Sequence, residues 1–135
     1  MHSHHYQYLL ASIFLGLGSF ACFWPGLVET ICIRPEFRVD TDLSRLFIAC
    51  FGAQAILCGT VILISRCTPM TFLVFGLIGS VPFFVFNAWF YFVKEMFTEW
   101  MLLDFAGNFG ILLCGLMGYR RSREENQHAR HAGLA

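Results

Sequence analysis

Residues 45–64 read RLFIACFGAQAILCGTVILI. After Arg45 no charged side chain follows until Arg66. A helix rises about 1.5 Å per residue, so a run of this length covers a hydrocarbon layer ~30 Å thick. Backbone in hydrocarbon finds no water, so it must satisfy its own hydrogen bonds, and a helix does so within one segment. This block therefore predicts a membrane-spanning helix.

Three further blocks of the same kind lie outward of it, at residues 8–24, 71–93 and 100–119. Polar joints separate them, at 27–44, 65–70 and 94–99, the first being the longest. The prediction is an all-α fold: a four-transmembrane-helix bundle over residues 1–119, with both termini on the same side. Residues 120–135 form a polar tail, expected to be disordered beyond its first turn. Composition agrees with the bundle. The chain has 135 residues, 57% hydrophobic and 13% charged, where soluble domains carry about 25% charge. A chain this short cannot bury four such blocks in a water-facing fold.

The joints suggest how the helices meet. Trp24-Pro25-Gly26 should end the first helix, and Asp40 or Asp42 should cap the second. Ser12 and Gly16 on the first helix form a small-residue pair suited to close packing. Gly52, Ala55 and Gly59 form such a face on the second, and Gly107, Gly110, Cys114 and Gly118 on the fourth. The short joint at 65–70 predicts that helices two and three are antiparallel neighbours. Pro82 should kink the third helix.

The first block resembles a signal peptide, with Ser19-Phe20-Ala21 as a cleavage-like site. Residues 1–7 hold no Lys or Arg, however, and retention as a helix is expected. Arg120, Arg121 and Arg123 cluster at the end of the fourth block, which predicts cytosolic termini. The organelle is not readable.

Nine basic and nine acidic residues cancel, and no basic patch exists to hold nucleic acid. The six cysteines form no C-x-x-C pair, so neither a zinc site nor a redox relay has the spacing it needs. Cys67, beside Arg66, reads as an unmodified thiol more simply than as an acylation site. His2, His4 and His5 cluster near the start without a second ligand set. No metal or cofactor is expected, and no G-x-S-x-G, H-E-x-x-H or P-loop motif occurs.

Polar residues inside a bilayer are costly and invite explanation. Gln54, Asn87, Asp104 and Asn108 are the four here. By helical rise they lie ~14, ~9, ~6 and ~12 Å deep from the side opposite the termini. All four fall in one half of the bilayer, on three helices, and could line one pocket. Arg45, at the rim, has the reach to pair with Asp104. Two readings stay open. The amides are inter-helix hydrogen bonds and nothing more, or the set forms a ligand pocket. In the pocket reading Asp104 is the candidate catalytic acid or base, and Gln54, Asn87, Asn108 and Arg45 are ligand-binding.

Phe23-Trp24-Pro25-Gly26, Arg45 and Phe51-Gly52-Ala53-Gln54 with Gly59 resemble the pattern of small four-helix membrane proteins of the DoxX-like kind. There a first span ends near a Pro, and the second opens on an Arg and continues with small residues. Gln54 departs from that pattern, where a second small residue is commoner. The resemblance implies the architecture and no activity.

Two functions follow as expectations. The first is a multi-pass membrane protein serving as an interaction or accessory component, with a membrane-protein partner or as a homo-oligomer in the lipid bilayer. The second is a membrane-embedded enzyme or binder for a hydrophobic small molecule, such as a sterol, terpenoid or polyketide. A transporter or channel is disfavoured, because four helices are too few for a pore within one chain.

Overall fold

Prolines and capping hydroxyls set the helix boundaries. The computed structural model describes residues 2–131 and Gly133. Helix α1 spans Ser3–Phe23, and Pro25 then opens α2, Pro25–Cys32. Proline suits a first turn, where its missing N–H would have no partner. After a 3₁₀ turn at Pro35–Phe37 comes α3, Asp42–Ile64. Its cap is Thr41, not Asp40 or Asp42. The Thr41 hydroxyl accepts from the Ser44 N–H, and the Ser44 hydroxyl accepts from the Thr41 N–H, both at 3.2 Å. Two short hydroxyl side chains facing each other close this box and leave Asp42 in the first turn. Thr68 and Thr71 repeat the device at the start of α4, Pro69–Ile78.

The third apolar block breaks where its proline requires. Helix α5, Val81–Ala88, carries Pro82 in its first turn, and the chain bends at Gly79 and Ser80. The buried Ser80 hydroxyl donates to the Gly76 carbonyl. Helix α5 runs on into a π turn, Trp89–Val93. Helix α6, Met101–His131, carries the last apolar block and continues through the polar tail without a break. The tail residues 132, 134 and 135 lie outside the described residues. Four stretches are long and apolar enough to cross a membrane: α1, α3, Pro69–Val93 and α6. No strand forms among the described residues, and one isolated bridge pairs Ile33 with Phe97.

The spatial order departs from the chain order. Helix α1 lies along α3 and against α6, and α4 lies along α6. Helices α3 and α4, expected to be neighbours, hardly meet. The small-residue faces explain why. A Cβ at Gly18 would lie 2.8 Å from the Gly52 carbonyl oxygen, and one at Gly59 would lie 3.0 Å from that of Ala11. A Cβ at Gly76 would lie 2.8 Å from the Gly115 Cα. The small face of α3 is thus taken up by α1, and that of α4 by α6. Nothing of that kind remains to hold α3 against α4. The Ser12–Gly16 pair plays no part: Ser12 bonds to its own helix at Tyr8, and nothing lies within 4 Å of a Cβ at Gly16.

The chain ends meet at one end of the bundle. The Ser3 N–H and hydroxyl both donate to the Glu125 carboxylate, at 3.0 and 2.6 Å. The side-chain core fills this same half: Tyr6, Leu10, Ala11, Ile62, Phe72, Ile111 and Cys114. Gln7 adds two hydrogen bonds to the last carbonyls of α3, Ile62 at 2.7 Å and Ser65 at 2.8 Å. Cys67, half-buried, turns inward toward the Ile62 carbonyl.

Candidate functional site

The opposite half is built differently. Here the joint 27–44 and the joint 94–99 clasp each other. The Arg34 N–H donates to the Met96 carbonyl at 2.9 Å, and the Thr98 N–H to that of Cys32 at 3.0 Å. The Arg34 guanidinium reaches the Phe97 carbonyl at 3.2 Å, and the Thr98 hydroxyl bonds to Ile31. Glu29 braces the loop from beneath. It is 3% exposed and accepts from the Val39 and Asp40 N–H groups and the Ser44 hydroxyl. Asp40 holds a left-handed φ of 47°, and its N–H bond of 2.9 Å to Glu29 helps fix that turn.

Below this cap lies a cleft. One cavity, about 370 Å³, is walled by α1, α2, α3 and the start of α6. A second, about 300 Å³, lies toward α5. Phe51, Phe97, Met101 and Asp104 line both, so the two adjoin across a shared wall. The cleft occupies the gap that the helix order leaves between α3 and α5. Phe51 and Phe83 bridge that gap with ring centroids 5.7 Å apart.

Of the four polar residues singled out in the sequence, the fold gathers three. Asn87, at the end of α5, and Asn108, one turn beyond Asp104 on α6, each donate from Nδ2 to Asp104 Oδ2 at 2.8 Å. Both amides are buried, 5% and 3% exposed, while Asp104 is half-buried. The i, i+4 spacing puts Asn108 on the Asp104 face. Asn87 reaches it because the third joint folds α5 back beside α6.

Gln54 lies elsewhere. It is exposed on α3, with no hydrogen bond to the other three. Its neighbour Gly52 faces α1, and two residues of helix turn the side chain ~200° away from that contact. Arg45 is also apart from Asp104. It pairs with Asp40, and its side chain lies over Gly26. The first loop returns an acid to the start of α3, closer to Arg45 than Asp104 is.

Two residues of the site escaped the sequence reading. Cys32 lines the larger cavity together with Asp104. Burial pushes its thiol pKa up, and the Asp104 charge pushes it further. Glu29 holds the cap. Its signal was present: a lone acid within the apolar run 27–33.

The chemistry available is narrow. Phe, Ile, Leu, Val and Met make up most of the wall, and Asp104 and Cys32 are the ionisable side chains facing the two cavities. Such a site can hold an apolar body and accept hydrogen bonds at one point. Among the described residues no three His, Cys, Asp or Glu side chains gather as a metal site would need. In comparisons with known proteins, no family model, curated protein or solved structure matches the chain.

Proposed function

We propose that the protein is a multi-pass membrane protein, its termini cytosolic, that binds a hydrophobic small molecule of the sterol, terpenoid or polyketide kind in the cleft beneath its cap. One observation carries this reading: the Asp104 carboxylate, fixed by two buried amides, stands on the wall shared by two apolar cavities. Ligand sites of this kind are concave and mostly apolar, with a few placed polar groups. Phe47, Phe51, Trp100 and Leu103 border the larger cavity and are exposed along the bundle side. A ligand dissolved in the bilayer can therefore enter sideways. Protein purified from membranes in mild detergent should carry a small apolar molecule, detected by native mass spectrometry. Ile31→Trp, which fills the cavity, should abolish carriage. Equal carriage by this variant would overturn the reading.

An accessory role is the second reading. Most of the small-residue faces that suggested it are used within the chain. One observation still favours it: Gly16 and Ser12 face outward on α1. A strictly monomeric protein that captures no membrane partner would end that reading. The pieces behind the DoxX-like likeness do meet in space, since Arg45 lies over Gly26. That supports a shared architecture within this proposal.

A further inference from the structure

Asp104 has two oxygens, and the protein uses only one. Both amide donors, Asn87 Nδ2 and Asn108 Nδ2, go to Oδ2. No donor among the described residues reaches Oδ1. Yet among the described residues no buried side-chain polar atom lacks a hydrogen-bond partner. Oδ1 is therefore not sealed in the protein, and the open space beside Asp104 is the cleft.

From this, and resting on the binding reading above, we infer that the ligand is an apolar body with a single hydrogen-bond donor at one end, a hydroxyl or ammonium, seated on Asp104 Oδ1. A carboxylate oxygen accepts and does not donate. A ligand carboxylate or ester would set acceptor against acceptor. Each amide keeps a second N–H, but neither Asn87 nor Asn108 lines the larger cavity, so neither offers it to a ligand seated there. Apart from the weakly donating Cys32 thiol, the remainder of the larger cavity's wall is apolar, so a second polar group on the ligand would be buried without a strong partner, which is costly. The head group is thus singular and of one polarity. The cavity of about 370 Å³ lies low in the range for small-molecule sites, ~300–1,000 Å³, and suits a body of isoprenoid size.

A matched series tests this. Farnesol, farnesylamine, farnesoic acid, methyl farnesoate and farnesene share one chain and differ at the head. Their affinities would be measured on the full-length protein in phosphatidylcholine nanodiscs, by Trp100 fluorescence and native mass spectrometry. Farnesol and farnesylamine should bind about ten-fold or more tighter than the other three. Asp104→Asn should remove most of that preference. If all five bind equally to the wild-type protein, or the acid or ester binds best, the head-group inference falls and the binding reading survives. If none of the five binds and Ile31→Trp behaves as wild type, the binding reading falls with it.

Discussion

The two halves of this bundle are made by the same helices and do opposite things. Near the chain ends, glycine faces bring backbones together and Leu10, Ile62 and Phe72 are sealed. Near the cap, α1 and α3 still touch at Gly18 and Gly52, but a cleft opens beside them, and the buried side chains there are Asn87, Asn108, Glu29 and Ala21. Packing in lipid depends on close van der Waals fit, because hydrocarbon gives no hydrophobic drive between helices. The half that supplies that fit leaves the other half free to be hollow. Most of the sealed core and the cleft thus occupy different ends of the bundle.

Adding volume to each half tests that contrast most strongly. Gly115→Leu drives a side chain into the Gly76 backbone and the Phe72 carbonyl. Overpacking of this kind costs ~1–3 kcal/mol, and more against backbone. The thermal midpoint in detergent should drop sharply or folded protein should be lost, whereas Ile31→Trp in the cleft should shift it little. Equal shifts would erase the distinction. Removing volume should show the same asymmetry. Phe72→Ala, at a site 1% exposed, should cost ~3–5 kcal/mol. Phe51→Ala, at the exposed waist of the cleft, should cost well under half as much in the same unfolding assay.

The cap gives a middle-sized effect. Glu29→Gln replaces a carboxylate that accepts from Val39, Asp40 and Ser44. A buried group left short of its bonds costs ~1–3 kcal/mol. Hydrogen exchange should accelerate over the first loop while α4 and the apolar part of α6 stay protected. The Cys32 thiol is a smaller and more local probe. Its raised pKa leaves little thiolate at neutral pH, and part of the rise comes from Asp104. Maleimide labelling of Cys32, in a variant lacking the other cysteines, should therefore be slow. It should speed up with rising pH, and again in Asp104→Asn at fixed pH. No acceleration in that variant would separate Cys32 from Asp104.

The smallest effect belongs to the clasp at the chain ends. Hydrogen bonds from Ser3 hold the Glu125 carboxyl below its ordinary pKa. The folded value is lower than the unfolded one, so this stabilisation is whole at neutral pH. It fades as pH falls through the folded value. Glu125→Gln should lower stability slightly and evenly at and above neutral pH, and the gap from wild type should close as pH falls through the folded value.

Much of this was readable beforehand, and for physical reasons. Residues 45–64 announce a helix because hydrocarbon permits little else. Asp104, Asn87 and Asn108 stand out because polar atoms are costly there, and helical rise gave their common depth. Depth alone misplaced Gln54, since direction around a helix depends on which face the packing partner takes. Gly52 and Gly59 already named that face, and Gln54 lies off it. Arg45 was misjudged because the fold of the first loop, which brings Asp40 back to it, has no periodic signal. The order of the helices was hidden for a related reason. A short joint fixes direction, but the glycine faces decide neighbours.

Helix α1 donates its opening hydrogen bonds to a side chain 122 positions later in the chain. Synthesis at ~5–20 residues per second places those two residues on the order of ten seconds apart. Through that interval the amino end of the first helix lacks its anion. A segment made much later is therefore the one that latches the first helix, and a chain interrupted before Glu125 would be born without that fastening.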